Sequence, residues 1–293
     1  MLEDVRKNKF KTGVIVSLFI IGVTLLVYFI CSAFKLGPMS IAIALIISIA
    51  SAWSSYYYSD KIVLKMSNAR PATEWEDKRI VNILDSLMLS SGLSARPKLY
   101  VMESPQLNAF ATGRNPENAV ICVTTALLKK LKDDELEGVL AHEMAHIKNY
   151  DIRLSAVLSV MVGLVVMLSD FFTRVFIFSD NENRNPFMMI VGILFLIVSP
   201  IFSSLIQLAV SRRREYLADA TAVEFTRNPQ GLIDALLKLN GDDNKLGVES
   251  SATAHMYIIN PFKEGRKAKR KSTSWFSTHP SIEDRVEALR NIK

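Results

Sequence analysis

Residues 142–146 read His142-Glu143-Met144-Ala145-His146 and have the spelling H-E-x-x-H. This stretch falls within residues 133–150, whose apolar positions are spaced as in a helix. Residues four apart lie on one helix face, so His142 and His146 can place two imidazole nitrogens on a single ion. Glu143 projects beside them, where its carboxylate can act as general base for a water made acidic by zinc. The stretch therefore predicts the site of a zinc peptidase.

Two histidines at this spacing also occur as surface residues of amphipathic helices, so the motif by itself leaves two interpretations open. The chain contains only four histidines, and this motif holds two of them. A catalytic zinc also needs a third protein ligand. The choice between the interpretations therefore depends on whether the rest of the chain supplies one.

The composition differs from that of an ordinary soluble protein. The 293 residues are 49% hydrophobic, and the mean hydropathy is +0.21. The formal charge is +6, but the sequence has no glycine-rich phosphate loop and no basic helix with interleaved aromatic residues, so we expect no nucleic-acid partner. The two cysteines, Cys31 and Cys122, indicate neither a disulfide framework nor a cysteine zinc site. We expect a membrane protein whose soluble part lies in a reducing compartment.

Two long uncharged runs near the start of the chain predict membrane-spanning helices. Residues 12–34 form a run of 23 residues without a charge, and residues 39–58 form a second run after a short turn. The end of the second run carries aromatic residues placed as at a bilayer interface: Trp53, Tyr56, Tyr57 and Tyr58. Residues 1–58 are therefore predicted to form an N-terminal transmembrane hairpin.

Two further apolar runs, residues 154–169 and 187–210, follow the H-E-x-x-H stretch. They predict a second transmembrane hairpin over residues 154–211, which gives about four transmembrane helices in all. A bent or buried hairpin would have the same composition, so that alternative stays open. Residues 59–153 and 212–293 would form the first and second parts of one catalytic domain.

Basic residues are distributed unevenly between the two predicted sides of the membrane. Only three of the 35 Lys and Arg residues fall in the two turns, residues 35–38 and 170–186. Lys and Arg concentrate in cytoplasmic segments of membrane proteins. We therefore expect both termini and the catalytic domain to be cytoplasmic.

The soluble segment 59–153 reads as an α+β fold. Residues 96–103 and 119–124 are predicted strands, and residues 107–113 form a turn-rich segment. A strand just before an H-E-x-x-H helix can offer a free edge, to which an extended peptide adds through main-chain hydrogen bonds. The predicted fold class is a mainly α membrane protein with a small α+β zincin-like catalytic domain.

The motif helix supplies two zinc ligands, so the third ligand has to come from another part of the chain. A metzincin would need glycine at Asn149 and histidine at Ile152, so that class is excluded. The other common solution is a glutamate on a second helix with an aspartate one turn later. Glu215 and Asp219 have this spacing, with Glu215 as ligand and Asp219 as acceptor of the spare N–H of a ligating histidine. The alternative is that both are the charged end of a membrane helix, but the E-x-x-A-D spelling favours the ligand and a gluzincin site.

Four motifs in order resemble the HtpX family of membrane-bound zinc metalloproteases, which are related to the CaaX prenyl proteases. They are H-E-M-A-H, E-Y-L-A-D from Glu215, L-N-A-F-A-T-G from Leu107, and the terminal S-T-H-P with Arg285. The resemblance covers nearly the whole chain. It implies one zinc ion per chain and a location in the bacterial inner membrane. It also implies polypeptide substrates, namely misfolded or damaged membrane proteins cut at the cytoplasmic face.

Further roles follow only from this resemblance. It implies that Asp151, like Asp219, supports a zinc ligand from behind and that Asn108 binds the main chain of the substrate. His279 would stabilise the tetrahedral oxyanion with Arg285 as its support, although a histidine before proline can equally cap the last helix. The remaining histidine, His255, has apolar neighbours and is interpreted as structural.

Two rival functions remain on sequence alone. One is a narrow-specificity processing peptidase for lipidated or signal-like peptides, whose zinc site would be identical. The other is a membrane scaffold whose zinc only stabilises the soluble domain. An intact Glu143 disfavours the scaffold, because a structural zinc site has no use for a general base and fills its fourth position with protein.

Overall fold

A computed structural model of the chain describes residues 2–33, 37, 39–172, 193, 212–244, 253–259 and 280–292. Within these ranges the chain is mostly helical, with one small sheet. The helices are α1 (Leu2–Ala33), α2 (Met39–Met66), α3 (Glu74–Ser91), α4 (Thr125–Lys130), α5 (Asp133–Lys148), α6 (Asp151–Phe172), α7 (Arg212–Thr226), α8 (Pro229–Asn240) and α9 (Ile282–Arg290). The strands are β1 (Arg70–Pro71), β2 (Lys98–Met102), β3 (Ala109–Thr112) and β4 (Val120–Thr124).

The four strands form a mixed sheet in the order β1-β2-β4-β3. β2 and β4 are parallel, and the outer strands β1 and β3 are antiparallel to their neighbours. The predicted strands at residues 96–103 and 119–124 are therefore present. The interpretation of residues 107–113 as turn-rich is wrong, because β3 pairs with β4 from Ala109 to Thr112.

Burial on both faces of the sheet explains why β3 lacked a clear sequence signal. Along β4, Ile121 and Val123 face the main core, whereas Val120 and Cys122 pack in a second cluster with residues of α2. Strands covered on both faces lose the alternation of polar and apolar residues that marks a half-exposed strand. The residues of β3 are mostly small, and Asn108 and Gly113 lie on either side of the strand. This composition is typical of a turn.

Helix α5 packs on α7, α8 and β3. It approaches the start of α8 closely enough to require glycine. A Cβ atom on Gly138 would lie 2.6 Å from the backbone nitrogen of Leu232, closer than real Cβ contacts occur. The ion pair between Glu135 and Lys238, 2.7 Å long, links the same two helices at the edge of this contact.

Helix α3 is tied to the sheet by a group of charged residues. Thr73 caps its N-terminus and forms a reciprocal capping box with Glu76. The Glu76 carboxylate also accepts two hydrogen bonds from the Arg70 guanidinium, at 2.8 and 2.9 Å, and Arg70 bonds to Glu103 as well. Buried Glu76 thus joins β1, the helix cap and the end of β2.

The long apolar helices α1, α2 and α6 pack against one another. Among the described residues, no single helix is both long enough and apolar enough to cross a membrane. One pair of consecutive helical segments has the length and apolar character of a span only when taken together, and it is bent by 83° at the junction: Asp133–Lys148 and Asp151–Met167. The predicted fourth span, residues 187–210, falls outside the described residues except for Ile193. The number of transmembrane helices therefore stays a prediction.

Candidate metal centre

The two motif histidines and Glu215 lie together in the structure. Helix α5 places the Nε2 atoms of His142 and His146 3.2 Å apart. Helix α7 brings the Glu215 carboxylate to 3.7 Å from His142 Nε2 and 3.6 Å from His146 Nε2. These three residues form a group whose ligand atoms all lie within 4.8 Å of one another.

The other nitrogen of each imidazole faces a carboxylate. His142 Nδ1 lies 2.9 Å from Asp219 Oδ1, and His146 Nδ1 lies 2.9 Å from Asp151 Oδ2. A carboxylate only accepts hydrogen bonds, so each Nδ1 donates its proton to its carboxylate, and each Nε2 is the ring nitrogen left to bind a metal beside Glu215. Asp151 reaches its position because Tyr150, at φ +60°, turns the chain between α5 and α6.

A buried arginine supports the His142 side of the centre. Arg285 on α9 donates from Nε and Nη2 to the two oxygens of Asp219, at 2.8 and 2.6 Å. Its Nη1 atom lies 3.8 Å from a Glu215 oxygen and donates to the carbonyl oxygen of Ile258 at 3.2 Å. Such a forked pair fixes the carboxylate in the plane of the guanidinium. The position of His142 therefore depends on a contact between α7 and α9.

The two histidines have different electrostatic surroundings. Burial lowers the pKa of His142, and the charge of Arg285 lowers it further despite the bond to Asp219. Burial alone would also lower the pKa of His146. The hydrogen bond to Asp151 and the charges of Glu215, Asp151 and Glu143 outweigh it and raise the pKa to about 9. A dication would displace that proton, because metal and proton compete for the same lone pair.

Glu143 is buried beside the cluster on the same helix. Burial raises the pKa of its carboxyl to about 7, with a further upward contribution from Glu215 and downward contributions from His146, Arg285 and a hydrogen bond with the Ala111 backbone. A group that takes up and returns a proton works best when its pKa lies near the working pH. Glu143 has the surroundings that a general base at neutral pH requires.

The donor set fits zinc. Two imidazole nitrogens and a carboxylate oxygen are ligands that zinc takes in catalytic sites, with a fourth position open to water. The 3.2 Å between the two Nε2 atoms matches the roughly 3.3 Å between ligands about 2.05 Å from a tetrahedral ion. Both imidazoles also have the outer carboxylate partners that ligating histidines show.

A cavity of about 30 Å³ opens at this cluster, enough for one or two water molecules. Its lining includes Ala111 from β3 and the 255–258 segment, besides the cluster residues. His255, interpreted as structural from sequence, is buried and lines this cavity.

The structure brings together most of the residues that the sequence predicted for the site. One connected group contains seven of them: His142, Glu143, His146, Glu215, Asp151, Asp219 and Arg285. The fully buried Asn108 directs its side chain to the backbone of Ile259. His279 lies outside the described residues.

One functional contact was missed from sequence. Arg214 Nη1 lies 3.3 Å from Asp151 Oδ1 and so supports the carboxylate behind His146, as Arg285 supports the one behind His142. Its position next to Glu215 is the only local signal, and a triplet of arginines at a helix start gives no reason to single it out.

Two histidines and a glutamate from a second helix, with a buried carboxyl beside them, match the arrangement of a metallopeptidase site. The chain belongs to peptidase family M48, whose sequence model matches residues 74–293. It is 41% identical over 290 residues to the Protease HtpX homolog of Dictyoglomus thermophilum, covering 98% of this chain and 93% of the relative. The Protease HtpX homolog of Tropheryma whipplei (strain Twist) is 38% identical over 300 residues, covering 100% of this chain and 98% of the relative. The resemblance to the HtpX family is thereby confirmed.

Among solved structures, the crystal structure of S. mikatae Ste24p matches with a TM-score of 0.49 and 19% identity. The match covers 99% of this chain and 67% of that chain.

Proposed function

We propose that the chain is an integral membrane zinc metalloendopeptidase whose active site faces the cytoplasm. The observation that carries this proposal is the meeting of His142, His146 and Glu215 beside a buried carboxyl, Glu143, whose pKa is near 7. A site that only stabilised the fold would have no use for that carboxyl.

His142, His146 and Glu215 would hold the zinc ion. When bound, zinc supplies a Lewis acid that polarises the peptide carbonyl and makes water more acidic. Glu143 takes a proton from the attacking water as its oxygen adds to the carbonyl carbon. As the carbon–nitrogen bond breaks, protonated Glu143 returns that proton to the leaving amine. Asp151 and Asp219 hold the two imidazoles in the tautomer that leaves each Nε2 atom unprotonated.

The proposed substrates are polypeptides, chiefly misfolded or damaged membrane proteins, as the resemblance to the HtpX family implies. The proposal includes a role for His279 in stabilising the oxyanion, on the same ground. Asn108 is proposed to hold substrate main chain, which its position next to β3 supports.

Membrane insertion is supported by two features of this chain. The apolar helices α1, α2 and α6 pack together, and they carry long stretches without charge. The Lys and Arg residues lie almost wholly outside the two predicted turns, which supports cytoplasmic termini and a cytoplasmic catalytic domain.

The test is metal-dependent hydrolysis of unfolded casein by the full-length protein in detergent. We expect cleavage to stop when a chelator removes zinc and to return when zinc is added. Glu215→Gln should lose both bound zinc and cleavage, whereas Glu224→Gln, an exposed change on the same helix, should keep both. Cleavage that continues in zinc-free protein would overturn the proposal.

A further inference from the structure

The outer edge of β3 is occupied by another part of the same chain. One edge of β3 pairs with β4, and its other edge faces the part of the chain that contains Ile258 and Ile259. The backbone N–H of Ile258 donates to the carbonyl oxygen of Ala109 at 2.9 Å. Residues 257–259, the β3-edge segment, thus cover the outer edge of β3 through one main-chain hydrogen bond, at a place where a bound peptide could add to the sheet.

The side chain of Asn108 continues this pairing by one residue. Its Nδ2 atom donates to the carbonyl oxygen of Ile259 at 2.9 Å, and its Oδ1 atom accepts from the Ile259 N–H at 3.4 Å. A side-chain amide carries the same donor and acceptor as a peptide group, so Asn108 acts here as an extension of the strand.

The remaining main-chain group of this dipeptide is held by the metal centre. Arg285 donates to the carbonyl oxygen of Ile258 at 3.2 Å while it holds Asp219 behind His142. All four polar main-chain groups of Ile258 and Ile259 are therefore bound by Ala109, Asn108 or Arg285. None of these bonds depends on the identity of the side chains at positions 258 and 259.

The edge of β3 that the segment covers passes close to Glu143, the proposed general base. Ala111, two residues beyond Ala109 on β3, forms a backbone hydrogen bond with Glu143. Tyr257 and Ile258 line the same cavity as the metal-centre histidines. An extended peptide added to this edge would therefore reach the cluster by the path that the segment now takes.

The side chains of the segment are divided between the two faces of the sheet. Tyr257 packs on Phe110 with ring centroids 5.1 Å apart, in the cluster that includes residues of α2. Ile258 and Ile259 both pack in the main core on the other face. Ile258 therefore fills a buried apolar position beside the cavity with a large aliphatic side chain.

We propose that the β3-edge segment is an internal substrate mimic, which occupies the main-chain binding edge and must leave it before a substrate peptide binds. The proposal rests on the proposed peptidase function and adds a means of regulating it. It also assigns a substrate class: extended, unfolded chain recognised through its backbone, with a large aliphatic residue at the position of Ile258. A folded substrate would have no free main chain to replace the segment.

The first test weakens the packing of the segment and leaves every side chain of the metal centre unchanged. Ile258→Ala keeps the backbone N–H but removes buried contacts, so the segment leaves β3 more readily. We expect kcat/KM for casein to rise by about fivefold, mainly through a lower KM, since a larger fraction of molecules has a free edge. Leu239→Ala, an equally buried core change on α8, controls for lost stability and should leave kcat/KM unchanged.

An Ile258→Ala protein that unfolds at the same temperature as Leu239→Ala but has a lower kcat/KM would overturn the proposal, because the segment would then be a fixed wall of the site. Both variants are also made with Glu143→Gln. Cleavage that survives in those double variants would instead count against the proposed function, so the two failures are distinguishable.

A second test keeps the segment intact and uses a synthetic peptide with the sequence of residues 253–262, labelled with heavy isotopes. Bound to the Glu143→Gln protein, it should accelerate hydrogen exchange of the chain's own Ile258 and Ile259 amides by about tenfold or more. It should also inhibit casein cleavage by the wild type competitively. Unchanged exchange under saturating peptide, or no inhibition, would contradict the proposal.

Discussion

The Nδ1 atom of His142 lies 2.9 Å from Oδ1 of Asp219, a residue that lies on a different helix and is itself held by Arg285. Burial favours the neutral form of Asp219, but the charge of Arg285 and the hydrogen bonds from His142 and Arg285 keep its pKa below the usual range. Asp219 is therefore ionised when His142 binds a metal. His142 is therefore held by a chain of contacts that joins α5, α7 and α9.

Asp219→Asn should weaken zinc binding, because an amide cannot stabilise the Nδ1–H of His142 as a carboxylate does. We expect a loss of about 10–100-fold in zinc affinity, measured by competition with a chromogenic chelator. Asp234→Asn on α8, outside the metal centre, is the matched control. Wild-type affinity in Asp219→Asn would show that this contact does not support the metal.

Arg285→Ala should destabilise the catalytic domain, since it leaves the buried Asp219 carboxylate without its main partner. Breaking a buried pair in this way costs about 3–5 kcal/mol. The free energy of unfolding in detergent measures it, with the exposed change Arg290→Ala on the same helix as the control. Equal stability of the two variants would contradict this account of α9.

Gly138→Ala should separate α5 from α8, because the added Cβ would lie 2.6 Å from the Leu232 backbone. The backbone cannot move aside as a side chain can, and we expect a loss of about 1–3 kcal/mol. Gly241→Ala is the matched control, because its Cβ would meet its nearest neighbour at an ordinary 3.5 Å. Thermal unfolding in detergent distinguishes the two, and similar melting temperatures would exclude a tight contact at Gly138.

The Arg70–Glu76 pair should make stability depend on pH in acid. The hydrogen bonds from Arg70 lower the pKa of Glu76 from an ordinary 4.5 to about 2. Because the folded value is the lower one, the stabilisation is complete above pH 4.5 and is lost as the pH falls towards 2.

Arg70 is 38% exposed, so after allowance for solvent screening the effect is about 1–2 kcal/mol. Unfolding is measured between pH 2 and 7 in the wild type and in Glu76→Gln, which lacks the titrating group. The stability difference between the two should shrink below pH 4.5. A difference that stays constant with pH would contradict the assignment.

Local patterns in the sequence predicted the parts of the site that share one element. The spacing of His142 and His146 needs only one helix, and Glu215 and Asp219 need only a second. The strands β2 and β4 and the helix α5 follow in the same way from apolar spacing. These features are local, so the sequence carries them directly.

Features that depend on contacts distant in sequence were not predicted. The strand β3 was interpreted as a turn because its partners cover it on both faces. The β3-edge segment is about 150 residues away from Asn108, and no pattern in either stretch indicates that they pair. The role of Arg214 depends on its contact with Asp151, which lies on α6 and is distant from Arg214 in the sequence.

The measurement that tests the central claim most directly compares Glu143→Gln with Glu137→Gln, a matched change on the same helix that lies outside the metal centre. Bound zinc and casein cleavage are measured on the same preparations. We predict about one zinc per chain in both variants, with cleavage retained in Glu137→Gln and reduced by about a hundredfold or more in Glu143→Gln. Cleavage at the wild-type rate by zinc-loaded Glu143→Gln would contradict the assignment of Glu143 as the general base of a zinc peptidase.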